Sequence, residues 1–273
     1  MQDDLDDPAA RCPGPCDGVI PVVYPNQPIT VPYDAIRGEM SLLQRAAIDE
    51  EESVRRTFSR PDADPPLSIA SANSSGVRVL GLGHAGVAYF NGLTGQVAYS
   101  EYGRYGGNYG AVRSATMPTL TFGADDNPDR ASFEALARAL TRTNGGPYGF
   151  DAVVVKLPNG SFDVMQDFAD RRRAEVQARS AAAYDVKGNH CFTYALEVAA
   201  SAGVNANVSA AEDLEIILVA SLGGFRIDAP AGNAIELPSR QMRHLQTRYR
   251  PLTVSAAGGI PGDFEFPAGP YAR

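Results

Sequence analysis

Alternating and apolar runs in the middle of the chain predict β-structure. Residues 77–90 (VRVLGLGHAGVAYF) and 96–102 (QVAYSEY) are rich in β-branched and aromatic residues, which favour strands. Between them, residues 91–95 (NGLTG) have the composition of a tight turn. The two runs therefore predict a β-hairpin, and residues 116–122 predict a further strand.

A second hairpin signal follows downstream. Residues 151–157 (DAVVVKL) and 161–165 flank Pro158-Asn-Gly160, a combination that is typical of turns. Residues 225–237 alternate only weakly. The strand signals are therefore concentrated between residues 77 and 165.

Helical segments are interspersed with these strands. The segments that predict helices are residues 40–58, 129–142, 171–183, 191–202, 210–222 and 239–248. Gly203 is expected to end the helix that begins at Cys191. No internal repeat is present, which excludes a solenoid, and no train of β-α-β units follows residue 102. The pattern predicts an α+β fold.

Changes in composition divide the chain into three predicted parts. Residues 1–66 are interpreted as a proline-rich arm and a linker helix, because prolines at 8, 13, 15, 21, 25, 28 and 32 favour an extended backbone. Residues 67–222 contain the predicted strands and form the main domain. Residues 223–273 are interpreted as a C-terminal extension, with residues 256–273 loosely structured.

Composition and charge exclude several classes of partner. The chain has 273 residues, 44% of them hydrophobic, and a net charge of -8, which would repel a phosphate backbone. We therefore expect no nucleic-acid partner. No apolar run is long enough to predict a membrane span, and the acidic first twelve residues do not resemble a Sec signal.

The chain has three cysteines, at positions 12, 16 and 191. Cys12 and Cys16 could form a small disulfide or remain two thiols on the arm, and the sequence leaves both open. Zinc would need further cysteine or histidine ligands, and His84 is the first histidine. We expect no metal and no cofactor, and Cys191 is the remaining thiol.

Cys191 lies where a cysteine becomes a nucleophile. A thiol reacts as its thiolate, which the positive end of a helix dipole and a nearby imidazole both favour. Asn189 is a plausible N-cap, so the Cys191 amide would be among the first-turn N–H groups that can hold an oxyanion. Cys191 is the candidate nucleophile.

The chain has three histidines, and His84 on the first predicted hairpin is the candidate base. His190 adjoins Cys191 and would point away from the sulfur, so a capping or other polar contact is favoured for it. His244 lies on a basic helix and is expected to be solvated. If Phe90 pairs with Gly95, Glu101 lies opposite His84 as the orienting residue, whereas a loop longer by one residue places Tyr102 there.

Other interpretations use the same residues. A single cysteine in an apolar helix is most often a core residue, and a single strand histidine is often only a satisfied polar group; their joint placement favours catalysis. Gly81-Leu-Gly-His-Ala-Gly86 also matches the dinucleotide-binding fingerprint, with Glu101 about twenty residues further on. That fingerprint requires a helix at the third glycine, where this sequence predicts a strand.

Around these residues the chain resembles the permuted NlpC/P60 and lecithin-retinol-acyltransferase-like branch of the papain superfamily. Residues 83–89 (GHAGVAY) resemble its histidine strand, and residues 189–194 (NHCFTY) resemble its cysteine turn. Residues 99–105 and 110–113 are similar to members found as bacterial type VI secretion effectors, and residues 16–26 resemble, more faintly, a PAAR-like segment of secretion-spike proteins.

The resemblance implies a papain-like fold over residues 67–222, with an antiparallel sheet packed against the cysteine helix. It assigns Cys191 as nucleophile, His84 as base and Glu101 as the third residue. The residues expected to line a polar substrate cleft are Tyr102, Arg104, Tyr105 and Asn189.

The implied function is that of a secreted antibacterial toxin, which acts in the periplasm of a target cell on an amide bond of peptidoglycan stem peptides. A cognate immunity protein and secretion-spike proteins are the implied partners. Two alternatives remain open: acyl transfer or lipid hydrolysis by the same dyad, and a non-catalytic docking module.

Overall fold

The structure is a computed structural model of the 273-residue chain. The described residues are 12–31, 68–73, 76–80, 83–105, 109–184, 188–206, 220–222, 225–227 and 238–272. The predicted helix over residues 40–58 lies outside them, as does most of the segment 210–222. The chain divides into one compact unit of residues 1–24, 85–208 and 240–273 and another of residues 25–84 and 209–239.

The larger unit is built on a six-stranded antiparallel sheet. Its strands are β1 (Asp17–Tyr24), β5 (His84–Phe90), β6 (Val97–Gly103), β7 (Ala111–Thr116), β8 (Phe150–Leu157) and β11 (Arg250–Val254). Their order across the sheet is β11-β8-β1-β5-β6-β7, so β1 and β5 lie at the centre. His84, the first residue of β5, is the last residue of its segment that the division assigns to the smaller unit.

Four helices accompany the strands in the described residues: α1 (Arg130–Leu140), α2 (Ser161–Gln177), α3 (Cys191–Ser201) and α4 (Pro238–Arg248). Strand side chains alternate between faces, and the core accordingly falls into two clusters. Val87 and Tyr89 belong to the cluster that contains residues of α2, α3 and α4. Ala88 and Phe90 belong to the cluster that contains residues of α1. The predicted α+β class, with a sheet packed against the cysteine helix, is confirmed.

Apart from the first residues of β5 and α4, the regular structure among the described residues of the smaller unit consists of short strands. Strands β2 (Ile29–Val31), β3 (Ser68–Asn73) and β4 (Gly76–Leu80) form an antiparallel sheet in the order β2-β4-β3. Strands β9 (Ala220–Leu222) and β10 (Phe225–Ile227) form a two-stranded ladder. The run 77–90, predicted as one strand, is therefore two strands of two different sheets.

Residues 17–24 were predicted to belong to an extended arm, but in the structure they form strand β1 of the main sheet. This strand is wholly buried between β8 and β5, and its ladder to β8 runs from Asp17 opposite Leu157 to Val23 opposite Asp151. Proline is rare in central strands because it has no N–H to donate, so Pro21 argued against a central strand at this position of the sequence. Burial of an apolar run (VIPVVY) compensates for the missing donor. Cys12 and Cys16, which precede β1, form a disulfide with each other. Cys191 is not part of a disulfide.

Two further predictions are corrected, and the predicted strand at Gly86 is confirmed. Pro158-Asn-Gly160 leads into the 17-residue helix α2 and not into a second hairpin. The strand predicted over residues 116–122 lies earlier in the chain, where β7 covers residues 111–116. Gly86 lies within a strand, which excludes the dinucleotide-binding fingerprint because that motif needs a helix there.

The C-terminal residues are also more ordered than predicted. β11 forms an edge of the main sheet, and beyond it the rings of Phe264 and Phe266 pack on Phe133 of α1. Tyr271 donates from its backbone N–H to the Lys156 carbonyl at 2.9 Å. Aromatic side chains spaced among glycines and prolines thus cover the core without regular secondary structure.

Candidate active site

Cys191 is the first residue of α3, and 2% of its surface is exposed. It belongs to the core cluster that also contains residues of α2. The N–H groups of a first helical turn point toward the helix start and carry partial positive charge, so they stabilise a thiolate or an oxyanion there. The predicted position of the cysteine at a helix start is confirmed.

The N-cap of α3 is His190, whereas the sequence predicted Asn189. His190 Nδ1 accepts a hydrogen bond from the Phe192 N–H at 3.2 Å, and Thr193 Oγ1 accepts one from the His190 N–H at 3.0 Å. This reciprocal arrangement is a capping box with an imidazole in the usual place of a hydroxyl or carboxylate. It fixes the backbone on both sides of Cys191 and confirms the capping role favoured for His190.

The first hairpin is confirmed, but its predicted register is wrong by two residues. Phe90 pairs with Val97 and not with Gly95. The turn is longer because Asn91 closes it from both ends: its N–H donates to the Gln96 carbonyl at 2.9 Å, and its own carbonyl accepts from Gly95 at 2.8 Å. The Asn91 side chain also accepts from two N–H groups inside the turn.

The register decides which residue can share a face with His84. Continued along β5, it aligns His84 with Gly103 and Gly86 with Glu101. Since residues two apart share a face, this continuation would put Glu101 on the face of His84 and Tyr102 on the other. His84 is buried, with 5% of its surface exposed. Glu101 rather than Tyr102 therefore stays the predicted third residue.

Glu101 is buried and accepts two phenolic hydrogen bonds. Tyr99 donates to Oε2 at 2.7 Å, and Tyr105 donates to Oε1. Burial raises the pKa of Tyr105, and the negative charge of Glu101 and of a Cys191 thiolate raises it further. The Arg113 guanidinium lies 3.5 Å above the Tyr105 ring.

These contacts meet at one end of the sheet. Tyr105 lies two residues beyond Gly103, the last residue of β6, and the same end of the sheet is where β5 begins at His84. Tyr99, the other phenol on Glu101, belongs to the α1 side of the sheet, whereas Cys191 belongs to the α3 side.

Tyr102 was expected in the substrate cleft, but it is fully buried. Its hydroxyl donates to the Tyr109 carbonyl at 2.7 Å, and its ring lies 5.3 Å from that of Tyr184 and 6.0 Å from that of Tyr194. Tyr102 is thus a core residue beneath the site. Arg104 and Tyr105, which follow β6, are partly exposed and remain candidates for substrate contact.

The Asn189 side chain makes internal hydrogen bonds. Its Oδ1 accepts from Arg172 Nη2 at 3.0 Å, and its Nδ2 donates to the carbonyls of Ala182 and Ala183 at 2.9 and 2.8 Å. Both ends of the carboxamide therefore hold the loop before Cys191. Its predicted contact with substrate stays a prediction.

Sequence reasoning missed Tyr99 and Arg172. Tyr99 precedes Glu101 by two residues on the same strand, so strand alternation alone could have placed the two side chains on one face. Arg172 is one of three consecutive arginines in a polar helix, and no local signal distinguishes it from its neighbours. Only the packing of α2 against the start of α3 distinguishes Arg172, which contacts Asn189 and Glu197, from the two neighbouring arginines.

No group of three or more histidine, cysteine or acidic residues within the described parts of the chain could hold a metal ion. Of the helices in those parts, none is both long enough and apolar enough to cross a membrane.

A family model for type VI secretion system effectors of the TseH-like kind matches residues 19–208, which is more than half of the chain. The chain belongs to the TseH-like effector family. The match spans strands β1 to β8 and helices α1 to α3, and therefore includes His84, Glu101 and Cys191. No curated protein matches the chain in sequence.

A crystal structure of the type VI secretion system effector TseH is similar in fold. It superposes with a TM-score of 0.56 at 17% identity, and the match covers 91% of this chain and 98% of that one. The predicted resemblance to type VI effectors is confirmed, and the papain-like assignment is consistent with it. Membership of the TseH-like family implies secretion into target cells, and an immunity protein or secretion partners are consistent with that role.

Proposed function

We propose that this TseH-like effector is a cysteine hydrolase that cuts an amide bond in peptidoglycan stem peptides of a target cell. The observation that carries the proposal is Cys191 at the first position of α3, next to a turn that the reciprocal hydrogen bonds of His190 cap. An oxygen or sulfur anion is favoured at such a helix start. The order of the elements, with the strand that begins at His84 before the helix that begins at Cys191, agrees with the permuted papain-like arrangement that the sequence resembles.

In the proposed mechanism His84, at the end of the sheet where β5 begins, takes the proton of the Cys191 thiol. The thiolate attacks the scissile carbonyl carbon, and the first-turn amides of α3 hold the oxyanion that forms. Collapse breaks the C–N bond, the imidazolium gives its proton to the leaving amine, and a thioester remains. Water, deprotonated by His84, then hydrolyses the thioester to a carboxylate and regenerates the thiol. Glu101 orients the imidazole from the same face of the hairpin.

The proposed substrate agrees with the delivery route. An effector that enters target cells meets the peptidoglycan in the periplasm, where stem peptides present both amide bonds and free carboxylates. Arg104 follows β6 and is partly exposed, so it could pair with such a carboxylate. This reaction calls for no metal or cofactor.

The test is digestion of purified peptidoglycan with the full chain, followed by chromatography and mass spectrometry of the released fragments. We expect wild-type protein to release stem-peptide fragments carrying a new amine and a new carboxylate. Cys191→Ser and His84→Ala should each lower the release at least about a thousandfold, because removing one member of a nucleophile–base pair disables the unit.

Two matched controls separate chemistry from folding. The double variant Cys12→Ser/Cys16→Ser removes the other cysteines, and His244→Ala removes a histidine on α4; both should retain release. Undiminished release by Cys191→Ser would sink the proposal. Acylation of Cys191 by a phospholipid, with no peptidoglycan cleavage, would replace it with acyl transfer. Absence of both reactions in the folded wild-type protein would favour a docking module.

A further inference from the structure

Arg172 of α2 connects two parts of the structure around the start of α3. Its Nη2 donates to Asn189 Oδ1 at 3.0 Å and to Glu197 Oε2 at 3.1 Å. Asn189 immediately precedes the cap residue of α3, and Glu197 lies further along the same helix. One guanidinium nitrogen thus fixes both the approach to α3 and the body of α3 to α2.

The other end of the Asn189 side chain extends this connection. Its Nδ2 donates to the carbonyls of Ala182 and Ala183, which follow the end of α2. The carboxamide therefore joins Arg172 to the backbone on the far side of the loop. Because a planar carboxamide has one acceptor and two donors in fixed directions, these three contacts fix its orientation.

Burial and an ion pair on its own helix restrict the position of the Arg172 side chain. Only 18% of its side chain is exposed, and Glu175 on its own helix lies 3.8 Å from its Nη1. Burial raises the pKa of Tyr102, and the positive charge of Arg172 acts in the opposite direction.

We propose that Arg172 is a positioning residue for the nucleophile, acting through Asn189 to fix the turn that carries His190 and Cys191. The inference rests on the proposed function, in which the Cys191 thiolate must face the first-turn amides of its own helix. Residues next to a reacting group need positions accurate to a fraction of an ångström, so a loosened turn lowers reactivity without unfolding the protein.

Geometry, and not charge alone, is what this role requires. A guanidinium offers several N–H groups in a rigid plane, so it can serve Asn189, Glu197 and Glu175 together, whereas a lysine ammonium is a point charge on a flexible stem. Arg172→Lys should therefore fail to replace the arginine. If Arg172 acted only as a positive charge near Cys191, the lysine variant would behave as wild type.

The test is the rate of Cys191 alkylation by iodoacetamide as a function of pH, measured by mass spectrometry on the folded full-length protein. In wild type we expect rapid labelling below pH about 7. Arg172→Met and Arg172→Lys should both shift the profile to higher pH, with about a tenfold slower rate near pH 6, since a tenfold loss of thiolate corresponds to one pKa unit. Arg171→Met, the neighbouring arginine whose guanidinium lies near the Phe168 ring, should leave the profile unchanged.

Asn189→Ala provides a second variant. If Arg172 acts through Asn189, the double variant Arg172→Met/Asn189→Ala should alkylate no more slowly than the slower single variant, because both remove the same connection. Additive effects would overturn the inference, as would a wild-type profile in Arg172→Met or full rescue by Arg172→Lys. A wild-type Cys191 that alkylates only above pH about 8 would instead contradict the proposed function.

Discussion

Gly86 lies on β5 two residues after His84, and the ring of Tyr99 occupies the space beside it. A Cβ at Gly86 would lie 2.3 Å from the Tyr99 hydroxyl and 2.6 Å from its Cζ. That hydroxyl donates to Glu101 at 2.7 Å. The glycine therefore makes room for the phenol that holds Glu101. Its lack of a side chain, and not backbone flexibility, is what the site uses.

We predict that Gly86→Ala destabilises the protein by about 1–3 kcal/mol, because the added methyl group must displace a buried ring. Gly188→Ala is the matched control: no atom lies within 4 Å of the Cβ that it would add, so it should leave stability unchanged or raise it slightly. The measurement is the free energy of unfolding from urea titrations. Equal stabilities of the two variants would show that Tyr99 can move freely.

At the scale of elements, α2 begins without a local cap. Its N-cap position is Gly160, at φ 94°, which makes no side-chain hydrogen bond. The acceptor comes from β1 instead: the buried Asp17 carboxylate accepts from the Phe162 N–H at 2.9 Å and from the Gly92 N–H at 2.8 Å. A single carboxylate thus joins a strand, a helix start and the hairpin turn.

Asp17→Ala should lower the free energy of unfolding by about 2–4 kcal/mol, since it leaves two buried N–H groups without their charged acceptor. Asp17→Asn should cost less, because its amide oxygen can still accept from one of them. Asp163→Ala, which removes an exposed carboxylate from the first turn of the same helix, should cost only about 0.5 kcal/mol. Equal losses for Asp17→Ala and Asp163→Ala would contradict the capping role of Asp17.

At the scale of the whole larger unit, the two ends of the chain complete the core. β1, near the start, lies at the centre of the sheet, and the last residues close its outside. Phe264 and Phe266 lie 5.7 and 4.8 Å from the Phe133 ring, and Tyr271 donates to the Ala202 carbonyl at 2.9 Å. The segment after β11 therefore acts as a cover for both helical layers.

Ending the chain after Val254 should lower the free energy of unfolding by about 2–4 kcal/mol, because it uncovers Phe133 and removes the three half-buried rings of Phe264, Phe266 and Tyr271. Ending it after Tyr271 keeps those rings and should leave stability unchanged. Thermal and urea unfolding of the two truncated chains would measure the difference. A fully stable chain ending at Val254 would show that these aromatic contacts contribute little.

Local signals were sufficient for much of the site. An apolar helix that starts at Cys191 and ends before Gly203, at φ 86°, was predicted because helix composition and a glycine stop are both local. The β-rich run that contains His84 and the turn at Asn91 predicted the hairpin for the same reason. Its register was missed, because the turn closes through hydrogen bonds of Asn91 that spacing alone does not reveal.

The sequence by itself determined the α+β class, the hairpin, the cysteine at a helix start and the resemblance to type VI effectors, since these depend on residues close together in the chain. Only the tertiary structure decided that β1 is central, that Asp17 caps a helix 145 positions away, and that Arg172 holds Asn189. Burial and hydrogen-bond satisfaction are properties of the assembled molecule. They connect distant residues that no periodicity or local motif marks as partners.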